Sequence, residues 1–192
     1  MPKRTPEGIV SLLDAPHSGL VEELWDRIKA ATGLAGVRIT PYPHFSYLVG
    51  DRLDRKGVDE ALRQLVRSTS PFSVRVRGVG TFPAPSPVVY LRVEPEAGLR
   101  QFHRRLWEAV HPAVTRPWSY YDPAAWVPHV TLAPGDEPAG NPLTPAEVEQ
   151  VSRLVSRRRI DWTVPVDHVA TIVDERGHQR LGRRLLFEGP SA

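Results

Sequence analysis

The sequence predicts an α+β protein in which a pair of antiparallel-rich sheets lines a central cleft and helices cover the outside. One observation is the order of periodic segments: strand, helix, strand, helix, strand, strand, helix, strand, helix, strand, strand. Another is that two antiparallel-rich sheets with helices outside satisfy this order with short connections. The third is a repeated pattern, Pro43-His44-Phe45-Ser46-Tyr47 and Pro128-His129-Val130-Thr131-Leu132, one copy toward each end of the chain. At 192 residues the chain is long enough for one well-buried domain, and residues 1–192 are expected to form a single domain of two similar lobes.

Gly8-Ile9-Val10-Ser11-Leu12-Leu13 reads as a buried strand, left through a turn at Asp14 to Gly19. Val21, Leu24, Trp25 and Ile28 then fall at helical spacing, and Gly33 closes that helix. After the first His-Phe-Ser strand comes a helix from about Asp54 to Ser68, with Val58, Ala61, Leu62, Leu65 and Val66 inward. Phe72, Val74 and Val76 alternate with Ser73, Arg75 and Arg77, a half-buried strand whose natural partner is Pro87 to Val93. Leu99, Phe102, Leu106, Trp107 and Val110 mark a third helix, from Gly98 to about Val114, with Pro112 admissible only near its end.

Arg116 to Ala125 reads as an aromatic-rich loop, and the second His-Val-Thr strand follows it. Gly135 to Pro142 is a turn-rich linker, after which Thr144-Pro145-Ala146-Glu147 has the residues of a capping box. Val148, Val151, Leu154 and Val155 continue that helix to Arg157-Arg158-Arg159, cations suited to a helix C-terminus. Trp162 to Val173 and Leu181 to Phe187 read as two closing strands around a turn at Asp174 to His178.

Composition narrows the chemistry. The absence of cysteine excludes disulfides, thiolate metal sites and cysteine nucleophiles. The apolar run near the N-terminus, Ile9 to Leu13, is too short for a signal core or a membrane span, so a cytoplasmic protein without a membrane partner is expected. A formal net charge of +3 is a mild excess, compatible with a polyanionic partner and with an ordinary basic protein. No His-x-x-x-His pair occurs, and no metal site or cofactor is predicted.

On a strand, residues i and i+2 share a face. His44 therefore projects with Ser46, and His129 with Thr131, while Phe45, Tyr47, Val130 and Leu132 point into a core. Two imidazoles flanking one phosphorus supply a base for the nucleophile and an acid for the leaving oxygen near neutral pH. The Ser46 and Thr131 hydroxyls can donate to non-bridging oxygens as charge builds there.

The pair His44-Phe45-Ser46 and His129-Val130-Thr131 resembles the twin His-x-Thr/Ser signatures of the two-histidine (2H) phosphoesterase superfamily, and within it the 2′-5′ RNA ligase and cyclic nucleotide phosphodiesterase branch. Serine at 46 stands where threonine is commoner and supplies the same donor and acceptor. The resemblance implies a bilobal, pseudo-two-fold fold, no required metal, His44 and His129 as the catalytic histidines, and Ser46 and Thr131 as phosphate-binding hydroxyls. The implied activity is phosphodiesterase or RNA end processing on a 2′,3′-cyclic or 2′-5′-linked phosphodiester, by a monomer whose partner is RNA or a nucleotide. A non-catalytic nucleotide- or RNA-binding module that keeps the cleft is the competing reading.

Other residues carry weaker expectations. Tyr42, Trp118 and Tyr121 are candidates to line the substrate site, the last two with Tyr120 by stacking a nucleobase. Arg75, Arg77 and Arg92 can meet RNA phosphates or simply face solvent. His168 is read as structural, and His17, His103, His111 and His178 as solvated.

Overall fold

The computed structural model describes residues 5–38, 40–134 and 142–189. Most of the expected Gly135 to Pro142 linker lies outside them. The strands are β1 (Glu7–Leu12), β2 (His44–Leu53), β3 (Phe72–Phe82), β4 (Val88–Val93), β5 (Val114–Pro117), β6 (His129–Ala133), β7 (Asp161–Val166), β8 (His168–Glu175) and β9 (His178–Leu186). The helices are α1 (Ala15–Thr32), α2 (Arg55–Arg67), α3 (Ala97–Val110) and α4 (Pro145–Ser156). Two antiparallel sheets result, one ordered β5-β2-β1-β8-β9 and the other β6-β4-β3-β7. Neither sheet is a contiguous stretch of chain: β1 and β2 share a sheet with β5, β8 and β9, and β3 and β4 share one with β6 and β7.

Local signals set the helix ends. Pro16 lies in the first turn of α1, and Gly33 ends it at φ 73, its N–H donating to the Lys29 carbonyl. The Asp54 side chain caps α2, and Thr144 with Glu147 forms the expected capping box at α4. Helix α3 gives way at Val110 to a 3-10 turn that contains Pro112.

Two of the helices, α1 and α3, exchange sheets. Helix α1 follows a strand of the five-stranded sheet yet packs on β6 and α4, while α3 follows β4 yet packs on β2 and α2. One core therefore joins both sheets to the helices, through residues such as Ile9, Leu24, Ile28, Phe45, Leu62, Leu91, Leu106, Val130, Leu132 and Val151. Each such apolar side chain removed from water contributes about 1.5–3 kcal/mol. A second, smaller cluster of Val10, Ala170 and Ile172 lies on the other face of the five-stranded sheet, where Val10 pairs directly with Ser46.

Three expectations about elements are corrected. The turn expected at Asp14 to Gly19 is the start of α1, because Pro16 is accommodated in the first turn, where its missing N–H is not needed. Trp162 to Val173 is not one strand, since Asp167 divides it and the chain leaves the four-stranded sheet for the other. A single polar residue inside an apolar run carries no break signal, and Pro165 is tolerated because β7 is an edge strand. The expected aromatic loop also begins with β5, which pairs antiparallel with β2 from Gly50↔Pro117 to Leu53↔Val114. Four residues, one of them Arg116 at φ 47, are too few to show an alternating pattern. No helix among the described residues is long and apolar enough to cross a membrane.

Candidate active site

Both motifs are held in the same way. Proline at position 43 or 128 has no N–H and a fixed φ, and it keeps the residue before it extended. The carbonyl two residues before each histidine then faces back onto the ring. His44 Nδ1 donates to the Tyr42 carbonyl at 2.5 Å, and His129 Nδ1 donates to the Val127 carbonyl at 2.7 Å. Because a carbonyl only accepts, each Nδ1 carries the proton, and Nε2 is the nitrogen left to act. The proline carbonyls tie each motif to its neighbouring strand, Pro43 accepting from Leu13 N at 3.0 Å and Pro128 from Val93 N at 3.2 Å. An indole closes each arrangement: Trp126 Nε1 donates to the Ser46 carbonyl at 3.0 Å, and Trp25 Nε1 to the Thr131 carbonyl at 3.2 Å.

The alternation is as the sequence predicts. Phe45, Tyr47, Val130 and Leu132 are all in the core, at 1% exposure or less. His44, Ser46, His129 and Thr131 are half-buried, and β2 and β6 pack against each other where the sheets meet. Burial pushes the His44 imidazole down to about 4; the Tyr42 carbonyl opposes this, and charge at His129 lowers it further. His129 is lowered by burial, with the Val127 carbonyl opposing. The two rings are thus electrostatically coupled.

Aromatic residues that the sequence pattern did not single out hold the His129 ring. Phe82 meets it edge-on at 4.9 Å and 87°, and Tyr90 lies 5.1 Å away. Gly80 makes room for this, since a Cβ there would come within 2.5 Å of the Tyr90 ring. In the ladder Gly80 pairs with Tyr90, and Tyr90 with Thr131, so the three lie across one face. The strand pattern contained that register only once the pairing of β3, β4 and β6 was known.

Beside His44, Ser46 bonds through its side chain to the phenol of Tyr121, which is 8% exposed. Burial first, then Tyr120, pushes that phenol above its ordinary range, with Ser46 opposing, so it stays protonated. His103 underlies this corner. At 1% exposure it is buried rather than solvated, stacked on Trp126 at 3.7 Å and 11°, with Nε2 donating to the Tyr47 carbonyl at 2.9 Å. Burial lowers it to about 4, against the pull of the Tyr47 and Tyr121 carbonyls. Its place was visible in the sequence, because position 103 falls on the apolar stripe of Leu99, Phe102, Leu106 and Val110.

The remaining candidates separate. Tyr42 is half-buried in a bend before β2 and contributes its carbonyl. Trp118 packs at the edge of the core, its backbone N–H donating to the Val49 carbonyl at 2.9 Å. Tyr120 is 57% exposed. His168 is structural as expected, with Nδ1 on Asp167 at 2.6 Å and Nε2 accepting from Leu12 N at 3.2 Å. His17 belongs to the first turn of α1, where it bonds Asp14 at 2.5 Å and packs on Trp162, so it too is not simply solvated. His111 and His178 are exposed.

Two cavities, of about 600 and 410 Å³, lie elsewhere, the first lined in part by Glu7, Asp51 and Asp174 and the second by Val58, Leu62 and Thr171. Neither includes a motif histidine. The motifs outweigh enclosed volume here because proton transfer needs ring nitrogens within hydrogen-bond reach of the substrate. Among the described residues no three His, Cys, Asp or Glu side chains gather as a metal site.

Comparison with known proteins gives a concordant result. A family model described as the 2′-5′ RNA ligase superfamily matches residues 16–178. A provisionally named phosphoesterase of Oceanobacillus iheyensis, OB1230, is 28% identical over 100 residues, 47% of this chain. That stretch is 51% of the relative, so the chain spans about half the length of the curated relative it matches. Among solved structures, TT0787 of Thermus thermophilus superposes with a TM-score of 0.65 at 22% identity, covering 96% of this chain and 99% of that one. E. coli LigT complexed with NADP+ gives 0.59 at 16% identity, over 96% and 98%. LigT complexed with 3′-AMP gives 0.60 at 14%, over the same shares. At these identities the likeness is one of fold.

Proposed function

The chain belongs to the 2′-5′ RNA ligase superfamily, and from that premise we propose that it is a phosphodiesterase or RNA end-processing enzyme acting on a 2′,3′-cyclic or 2′-5′-linked phosphodiester through His44 and His129. The observation that carries this reading is the pair of Nδ1 bonds to backbone carbonyls, which fixes both tautomers and leaves one Nε2 from each motif. In hydrolysis, one Nε2 takes a proton from water as its oxygen attacks phosphorus. The bond from phosphorus to the leaving ribose oxygen breaks as the second ring gives that oxygen a proton. A phosphate monoester and a free hydroxyl result, and the two rings exchange protonation states, to be reset through solvent.

Both rings are depressed, so in the free protein the pair is neutral at pH 7. An anionic phosphodiester between them favours a proton on the pair. Charge at His129 is itself one cause of the depression at His44, so a proton on one ring disfavours a second proton on the other. We accordingly assign the pair one proton, so that one ring is the base and the other the acid in hydrolysis. Ser46, whose hydroxyl is oriented by the Tyr121 phenol, and Thr131 donate to the non-bridging oxygens. No step in this scheme calls for a metal or cofactor. The fold-level likeness to LigT, crystallised with 3′-AMP and with NADP+, is consistent with a nucleotide substrate. We take residues 1–192 as one two-lobed domain, since β7 and β8 carry the chain directly from one sheet into the other.

The test is a panel of nucleoside 2′,3′-cyclic phosphates and 2′-5′- and 3′-5′-linked dinucleotides incubated with the protein in chelator, with products resolved by ³¹P NMR. Ring opening to a single monoester isomer, or cleavage of the 2′-5′ linkage, is expected. Tight nucleotide binding without turnover of any member would favour the binding module instead.

A further inference from the structure

The four-stranded sheet presents three arginines beside His129. Val74, Val76, Leu91 and Val93 are buried, so Arg75, Arg77 and Arg92, which alternate with them, project from the opposite face. Two of the three are neutralised. Arg75 forks onto Asp161 with bonds of 2.8 and 3.0 Å, and Arg77 lies 3.8 Å from Glu94. Arg92 is exposed, and no carboxylate among the described residues pairs with it.

Its position is specific. Arg92 stands directly opposite His129 in the β4–β6 ladder, a pairing that sets the two Cα atoms about 5 Å apart. On the other side of β4, the ladder with β3 shifts register between Val76 and Val79, and Gly78 adopts φ +67 in that irregularity. A Cβ at Gly78 would lie 3.8 Å from Arg92 Nη1, so the guanidinium rests over bare backbone. The His129 ring meanwhile packs on Tyr90 and Phe82. The guanidinium is thus committed neither to a carboxylate nor to the imidazole, and its fork suits a phosphate.

We infer that Arg92 is a specificity-determining residue that binds a second phosphate of the substrate, adjacent to the phosphate held between the two histidines. The inference rests on the proposed phosphodiester site and narrows its substrate class. The preferred substrate is a nucleotide that carries a further phosphate beyond the reacting one, such as the 3′ end of an RNA strand, over a nucleoside cyclic phosphate alone.

Calorimetric binding of 3′-AMP and adenosine 3′,5′-bisphosphate to the full chain, at one ionic strength, tests this without turnover. Wild type should bind the bisphosphate about tenfold more tightly, the scale of one added charge-assisted contact. Arg92→Gln should bring that ratio close to one, and Arg92→Lys, which keeps the charge without the fork, should retain part of it. A wild-type ratio near one, or a ratio that survives Arg92→Gln, would overturn the inference. If the ratio and its loss are found while no cyclic phosphate is turned over, the enzymatic reading fails and Arg92 keeps its assignment. Turnover of cyclic phosphates with no bisphosphate preference would leave the enzymatic reading standing and remove the assignment of Arg92.

Discussion

The indole N–H of Trp126 donates to the backbone carbonyl of Ser46 at 3.0 Å, so the segment leading into His129 is bonded to the strand that carries His44. Trp126 is 6% exposed, and its ring is also the platform for His103. This contact fixes the spacing of the two motifs. Trp126→Phe keeps an aromatic ring and removes the donor, which leaves the Ser46 carbonyl without its side-chain partner. The expected cost is about 1–3 kcal/mol, or roughly 2–4 °C in Tm per kcal/mol. A fall in kcat/KM larger than the stability loss explains, with enzyme still folded at assay temperature, is also expected. Unchanged turnover in a folded variant would show that the contact does not set the geometry.

Gly80→Ala places a methyl group 2.5 Å from the Tyr90 ring. The ring must move, and with it the support beneath His129. Overpacking of this kind costs about 1–3 kcal/mol. The thermal melt should fall accordingly, and kcat/KM should fall with it. A variant with wild-type melting and turnover would show that the ring is not held where it lies.

Stability should decline on acidification before the carboxylates titrate. His44 and His103 have folded values of about 4 against an ordinary 6.5, and His129 and His168 are lowered as well. The unfolded chain therefore binds more protons than the folded one between pH 6.5 and about 4. Stability is fully present above 6.5 and is lost as pH falls through that window. Denaturant melts at pH 7.5, 6 and 5 should show a falling midpoint. A flat midpoint from 7.5 to 5 would contradict the burial of these rings.

Much of this organisation was legible in the sequence because two periodicities carry it. Alternation placed His44 with Ser46 and His129 with Thr131, and the helical stripes identified the buried faces of the helices. What sequence could not show depends on partners distant along the chain. Phe82, Gly80 and Tyr90 meet His129 only through the β3–β4–β6 register, and Trp25 reaches Thr131 only because α1 packs on the other sheet. Strand β5 and the break at Asp167 are too short to leave a pattern. His103 is a different case: its helical position announced burial, and the polarity of the side chain obscured it.

Ser46→Ala and Thr131→Ala should each lower kcat/KM by less than loss of either histidine, because one phosphate donor is removed while the proton path remains. Tyr121→Phe should act in the same direction as Ser46→Ala, and the double variant should cost little beyond the larger single effect, since the phenol acts through the Ser46 hydroxyl. Full additivity in that double-mutant cycle would separate the two residues.

The central claim is that His44 and His129 act as a base–acid pair on one phosphodiester. Its most direct measurement is the pH dependence of kcat/KM for a nucleoside 2′,3′-cyclic phosphate, in chelator, for wild type, His44→Ala and His129→Ala. Because both rings are depressed in the free protein, the wild-type profile should be bell-shaped with its optimum below pH 6.5. His44→Ala and His129→Ala should each remove one limb of the bell, a different limb in each variant, at a cost of about 10²–10⁴-fold. Wild-type kcat/KM with an unaltered pH profile in either variant would contradict the account.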